Sequence, residues 1–252
     1  MRVIVLSAAF AAMCLPASAA DNVNPADIIQ KFAAKELEFR QARNNYTYRQ
    51  HVLMEEVNGG GKWEEIDDII FTPEGKRIEK VIYAPVISLV HISLSPEDVQ
   101  DLRNVQPFVL TTPEIPDYDI QFLGKEKIDE IGCYTFSVKP KKMVKDKRYF
   151  EGEIWVDDQD LQIVKTYGKG VGLVKGDQAF PKFETYREQI DKKYWFPTYT
   201  RANDTLHFKS GENVPIRMTV KYQDYKKYEG RSSIKYGDVV DDSAAPPATK
   251  KK

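Results

Sequence analysis

Apolar residues recur along this chain at two spacings, and the spacing changes near residue 45. After Asn24 they stand three or four apart, at Ile28, Ile29, Phe32, Ala33, Leu37 and Phe39, which is one broad face of a helix. Asn24 suits the cap, Pro25 the first helical position and Asp27 the positive helix end, and Asn44-Asn45 closes the segment. From Tyr46 the spacing drops to two. Residues 46–57 alternate through Tyr46, Tyr48, Val52 and Met54, then Asn58-Gly59-Gly60-Gly61 turns into residues 62–71. Thr72-Pro73-Glu74-Gly75 turns again into residues 76–83. Close turn signals between short alternating runs predict antiparallel hairpins rather than crossover helices.

Residues 84–117 interrupt this meander with Pro85, Pro96, Pro107, Pro113 and Pro116. They open on the apolar run VISLVHISL, and Ser95-Pro96-Glu97-Asp98 then starts a helix toward Val99, Leu102 and Val105. An insertion of this length between strands tends to be functional or to cover a sheet face. Alternation resumes at 118–123, 132–140, 150–157, 161–167, 182–190, 194–201 and 215–222, for ten strands in all. Strands with one apolar face must bury it, and the leading helix and the insertion are the apolar elements available. The expected fold is therefore mainly β (α+β): a curved antiparallel sheet forming a half-open barrel, closed by the N-terminal helix and the helical insertion.

The two ends read differently from the middle. Residues 1–20 combine Arg2, an apolar run from Val3 to Leu15 and the small-x-small step Ala17-Ser18-Ala19, the pattern of a cleaved export signal. The run is shorter than the roughly 20 residues that span a bilayer. Residues 238–252 have no periodicity and are expected to be disordered. That leaves residues 21–237 as one domain, periplasmic or secreted.

Charge and composition narrow the chemistry. Lys plus Arg is 37 against 38 Asp plus Glu, a balance that argues against a nucleic-acid partner. The two cysteines exclude a disulfide scaffold, and loss of the leader with Cys14 leaves Cys133 alone in a strand, with no adjacent cation to lower its pKa. His51, His91 and His207 stand singly, so no metal site and no catalytic triad is expected. Asp157-Asp158-Gln159-Asp160 lacks a calcium-loop register and reads as a charged turn. Lys141, Lys142, Lys145, Lys147 and Arg148 read as a solvated loop, and Gly168, Gly170, Gly172 and Gly176 as a flexible connection. No cofactor is implied.

Three stretches carry a family likeness: Leu123-Gly124-Lys125-Glu126 through the strand GCYTFSVKP at 132–140, the strand YFEGEIWVD at 149–157, and Tyr194-Trp195-Phe196-Pro197-Thr198 with the closing strand at 216–228. Over most of residues 25–228 the chain resembles outer-membrane lipoprotein-sorting proteins of the LolA/LolB/RseB-like superfamily. The resemblance implies a half-barrel that binds lipid acyl chains or a lipoprotein anchor in its concave face and performs no chemistry. Tyr118, Ile120, Phe122, Tyr134, Phe136, Val138, Phe150, Ile154, Val156, Ile216, Met218 and Val220 are then the candidates to line a cavity, with residues 84–117 as its lid. The same positions serve equally for a filled core. The alternative function is an envelope sensor or protein-interaction module of the same fold, with an outer-membrane or other envelope protein as partner. A monomer is expected.

Overall fold

The leading helix α1 (Pro25–Arg43) begins where the Asn24 side chain accepts the Ala26 amide at 3.1 Å, and it buries Ile28, Phe32, Ala33, Glu36 and Phe39. This is the face expected from the sequence, with Glu36 added to it and with Ile29 and Leu37 only part-buried at its border. The computed structural model describes residues 24–72, 74–172 and 178–228. The expected export signal at 1–20 and the expected tail at 238–252 lie outside the described residues.

Ten strands follow: β1 (Tyr46–Glu56), β2 (Lys62–Phe71), β3 (Arg77–Tyr83), β4 (Tyr118–Ile128), β5 (Ile131–Pro140), β6 (Arg148–Asp157), β7 (Ile163–Gly172), β8 (Phe183–Ile190), β9 (Tyr194–His207) and β10 (Asn213–Lys227). They form one antiparallel sheet in the order β3-β2-β1-β10-β9-β8-β7-β6-β5-β4, not closed into a barrel. β1 alternates without a break between buried and part-exposed residues, so one face of it meets the core.

The order has a direct consequence. β3 and β4 are the two edges of the sheet, and residues 84–117 join them in sequence. That connection spans the opening of the half-barrel. It carries a short helix α2 (Pro96–Gln100), a π-helical turn (Asp101–Val105) and a 3₁₀ turn (Thr112–Asp117). A reciprocal Ser95–Asp98 cap starts α2, as the sequence signal indicates.

Several strands run further than their apolar alternation, since backbone pairing continues wherever a neighbour supplies partners. The largest departure is β7, which includes Gly168, Gly170 and Gly172 as paired residues rather than a flexible connection. The reason is close packing. A Cβ on Gly168 would fall 2.8 Å from the Phe150 ring, and one on Gly170 would collide with the Asp101 carboxylate. Gly176 lies outside the described residues.

Candidate functional site

Register places the twelve expected lining positions on one face. Ile120 stands opposite Val138 and Phe122 opposite Phe136; Phe136 in turn faces Ile154, and Tyr134 faces Val156. Across the sheet Met218 faces Met54 and Val220 faces Val52. Tyr118, Phe136, Val138, Phe150, Ile154, Val156, Ile216, Met218 and Val220 are buried in one cluster, and Ile120, Phe122 and Tyr134 pack partly buried against it.

Much of this face is already covered. Phe32 of α1 meets the Phe136 ring at 5.6 Å, and Phe108 of the connection stacks on Phe150 at 4.5 Å. Leu102, Val105, Phe108 and Leu110 are buried in the same cluster, with Leu89, Ile92 and Leu94 packed against it. Residues 84–117 thus form a strap whose apolar side chains occupy the concave face. Beneath it lies a cavity of about 40 Å³ lined by Met54, Trp63, Leu94, Asp98, Asp101, Leu102, Gln106, Phe180, Pro181, Phe183 and Met218. A second, of about 60 Å³, adjoins it between Met54, Ile92, Leu94, Ala179, Leu206 and Phe208. Ligand pockets usually measure roughly 300–1,000 Å³. Of the twelve expected positions, Met218 lines the first cavity and the others pack the core. Met54, Trp63, Leu102 and Phe183 line that cavity without having been expected there.

The strap is fastened by specific polar contacts at both of its sides. The Glu56 carboxylate at the end of β1 accepts the amides of Gly61 (3.1 Å), Val90 (2.9 Å), His91 (2.8 Å) and Ile92 (2.8 Å). Burial pushes this carboxyl up, but the Val90, His91, Gly61 and Ile92 amides outweigh it and hold the pKa below its ordinary value. At the far side, Arg148 Nε and Nη2 grip the two Asp101 oxygens at 2.8 and 2.5 Å, with the guanidinium 4.0 Å from the Phe180 ring centre. Burial raises the Asp101 pKa, and the Arg148 charge works against that rise. Arg103 reaches from the strap to Glu79 on β3. Arg148 is therefore no part of a solvated basic loop: its side chain is 4% exposed, because the strap brings it a buried carboxylate. Lys141 and Lys147 bind Pro116 O and Asp117 at the strap's exit.

A second polar cluster faces inward between β1, β2 and β3. Arg77 donates to Tyr48 Oη at 2.6 Å and to Gln50, and the Trp63 indole donates to Glu65 at 3.3 Å. Buried Asp67 has one oxygen without a partner among the described residues. Burial, then the charge of Glu65 and a hydrogen bond to it, push the Asp67 pKa up to about 7. A carboxyl whose folded pKa is raised stabilises the fold while protonated, and that contribution is lost as pH rises through the folded value. Asp67→Asn is expected to stabilise the protein by at least about 1 kcal/mol at roughly pH 8 and to change nothing near pH 3, below the ordinary value of 3.8. Urea midpoints at the two pH values check this, and equal shifts at both would refute it.

The acidic turn and the strand cysteine keep the places that the sequence gives them. The Asp157 carboxylate accepts the amides of Gln159 and Asp160 at 2.6 and 3.0 Å, which closes the acidic turn on itself. Cys133 is buried, and burial raises its pKa to about 11. Among the described residues no group of three or more His, Cys, Asp or Glu is placed to hold a metal ion, and no helix is long and apolar enough to cross a membrane.

No family model and no curated protein matches the chain. Three solved structures are similar to it over most of its length. A DUF1329 family protein from Desulfovibrio piger is 15% identical, with TM-score 0.42, covering 83% of this chain and 96% of its own. A LolA superfamily protein from Nitrosomonas europaea is 15% identical, with TM-score 0.37, covering 82% and 96%. A putative outer membrane lipoprotein-sorting protein domain from Vibrio parahaemolyticus is 14% identical, with TM-score 0.36, covering 81% and 95%.

Proposed function

We propose that this protein is an exported carrier that holds lipid acyl chains, or the lipid anchor of a lipoprotein, on the concave face of its half-barrel. The strap at 84–117 is the cover that gives way to the guest. The observation behind this reading is the strap itself. Its inward side chains are an apolar filling held mainly by side-chain fastenings, at Glu56, Asp101, Glu79 and Arg187, and for most of its length not by the strand pairing that holds the rest of the sheet. Swapping strap for guest exchanges one apolar surface for another. Each methylene a guest buries contributes about 0.8 kcal/mol, so one long chain suffices for binding without directional contacts.

The cavities of about 40 and 60 Å³ cannot take such a chain with the strap in place. Apparent affinity is therefore the intrinsic affinity scaled by the fraction of molecules with the strap displaced. Residues 21–252 are expected to take up a fluorescent palmitate analogue saturably and to release it to unlabelled palmitate. Glu56→Ala, which unfastens one end, should bind at least about tenfold more tightly. Absence of uptake by both proteins, with no lipid in native mass spectra, would overturn the carrier reading and leave a protein-interaction module.

A further inference from the structure

The lining of the larger-walled cavity beneath the strap is of two kinds. Met54, Trp63, Leu94, Phe183 and Met218 are apolar, while Asp98 and Asp101 bring carboxylates to the same space. Asp101 and Phe180, both in that lining, are also the residues against which the Arg148 guanidinium packs. A few placed polar groups in a mostly apolar lining are what orients a bound molecule.

The Arg148–Asp101 pair is divided between two parts of the molecule. Arg148 belongs to β6 and is held in the sheet by pairing with Gly172 of β7. Asp101 belongs to the strap. So does Asp98, whose pKa is raised by burial and drawn back by groups that include the Arg148 charge. Lifting the strap therefore carries both carboxylates away and leaves the cation behind. Asp101 is the carboxylate that pairs with Arg148 among the described residues, and Arg148 Nη1 is buried without a hydrogen-bond partner among them even with the strap closed. The neighbouring strand offers no side chain in exchange. A Cβ on Gly170 would collide with the Asp101 carboxylate and lie 2.6 Å from Arg148 Nη2, so the departing carboxylate vacates a space floored by glycine.

A guanidinium does not shed its charge. With the strap lifted, water can reach it. A guest that covers the face again with hydrocarbon would bury that charge unpaired, at a high cost, unless it brings an anion of its own. We infer that the guest is an acyl chain ending in a free anionic head, whose oxygens replace the Asp101 carboxylate on Arg148. Asp101 is then a built-in stand-in that keeps Arg148 paired while no guest is present. A fatty-acid carboxylate and the phosphate of a lysophosphatidate share the paired acceptor oxygens that suit a guanidinium. The esterified chains of a lipoprotein anchor lack them. This inference rests on the carrier reading and narrows it to chains with a charged end.

Displacement of the fluorescent palmitate analogue from residues 21–252 tests it, with palmitate, 1-palmitoyl-lysophosphatidate and methyl palmitate as unlabelled competitors. At least one of the two anions should bind about tenfold or more tightly than the neutral ester, and the tighter anion names the head. Asp101→Asn loosens the strap without touching the sheet, so it should tighten all three competitors together and keep their ratio. Adding Arg148→Gln should bring the ratio to about one. That double variant leaves no buried charge unpaired and should keep the fold, which its far-UV spectrum checks. Methyl palmitate bound by the wild type as tightly as both anions, or a preference that survives Arg148→Gln, overturns the inference while the carrier reading stands. Binding of neither the analogue nor any competitor overturns both.

Discussion

Replacing Arg187 by methionine should destabilise the protein by about 3–5 kcal/mol, the cost of leaving one member of a buried ion pair alone. Arg187 Nη1 lies 3.1 Å from both Glu36 oxygens, with the two side chains 1% and 0% exposed. The Glu36 carboxylate also accepts the Ile163 amide at 3.0 Å, and Arg187 donates to Phe108 O. Its guanidinium lies 5.2 Å from the Phe39 ring centre. One pair thus ties the helix, β7, β8 and the strap together across the concave face. Without Arg187 the Glu36 carboxylate remains in an apolar interior. The thermal midpoint should fall by ~10 °C for a domain of this size. Glu36→Leu combined with Arg187→Met should recover most of the loss, because an apolar pair of similar volume carries no desolvation cost. A single variant that melts with the wild type would remove this pair from the account of stability.

Glu56→Ala should free the strap while leaving the sheet intact. The substitution takes the acceptor from four backbone amides at once, and hydrogen bonds to a charged group contribute about 1.5–3 kcal/mol each. The strap amides regain water when it lifts, so the net effect is local opening rather than global unfolding. Hydrogen exchange at Val90, His91 and Ile92 should accelerate by about a hundredfold or more, with β9 and β10 unchanged. Acid should mimic the substitution. The folded Glu56 carboxyl is held below its ordinary 4.5, so the fastening is complete above that value. It is lost as pH falls through the lower folded value, when the carboxylate takes a proton. Protection of residues 90–92 should therefore hold from neutral pH to near 4.5 and then decline, a step that Glu56→Ala lacks. Protection that is flat with pH in the wild type would mean the strap is held elsewhere.

Glu36, Glu56 and Arg148 share a feature that sequence does display but does not explain. All three fall in the inward phase of their element: Glu36 four residues after Phe32, Glu56 two after Met54, and Arg148 two before Phe150. A charged residue in an apolar phase is a signal of internal pairing. Its partner is invisible from sequence because it lies far along the chain, 47 positions away for Arg148–Asp101 and 151 for Arg187–Glu36. The glycines of β7 misled for a similar reason. A residue without a side chain reads as a loop when what it provides is room for Phe150 and Asp101.

Periodicity and turn chemistry were enough for the ten strands, the capped helix, the hairpin connections and the shared face of all twelve candidate positions, since each depends on neighbours within a few residues. Whether that face encloses a guest or its own strap is a question of volume. It was answered by the folding of residues 84–117 across the gap between β3 and β4. The closing pair β1–β10 and the buried fastenings belong to the same level, because each is created when segments distant in the chain come to lie side by side.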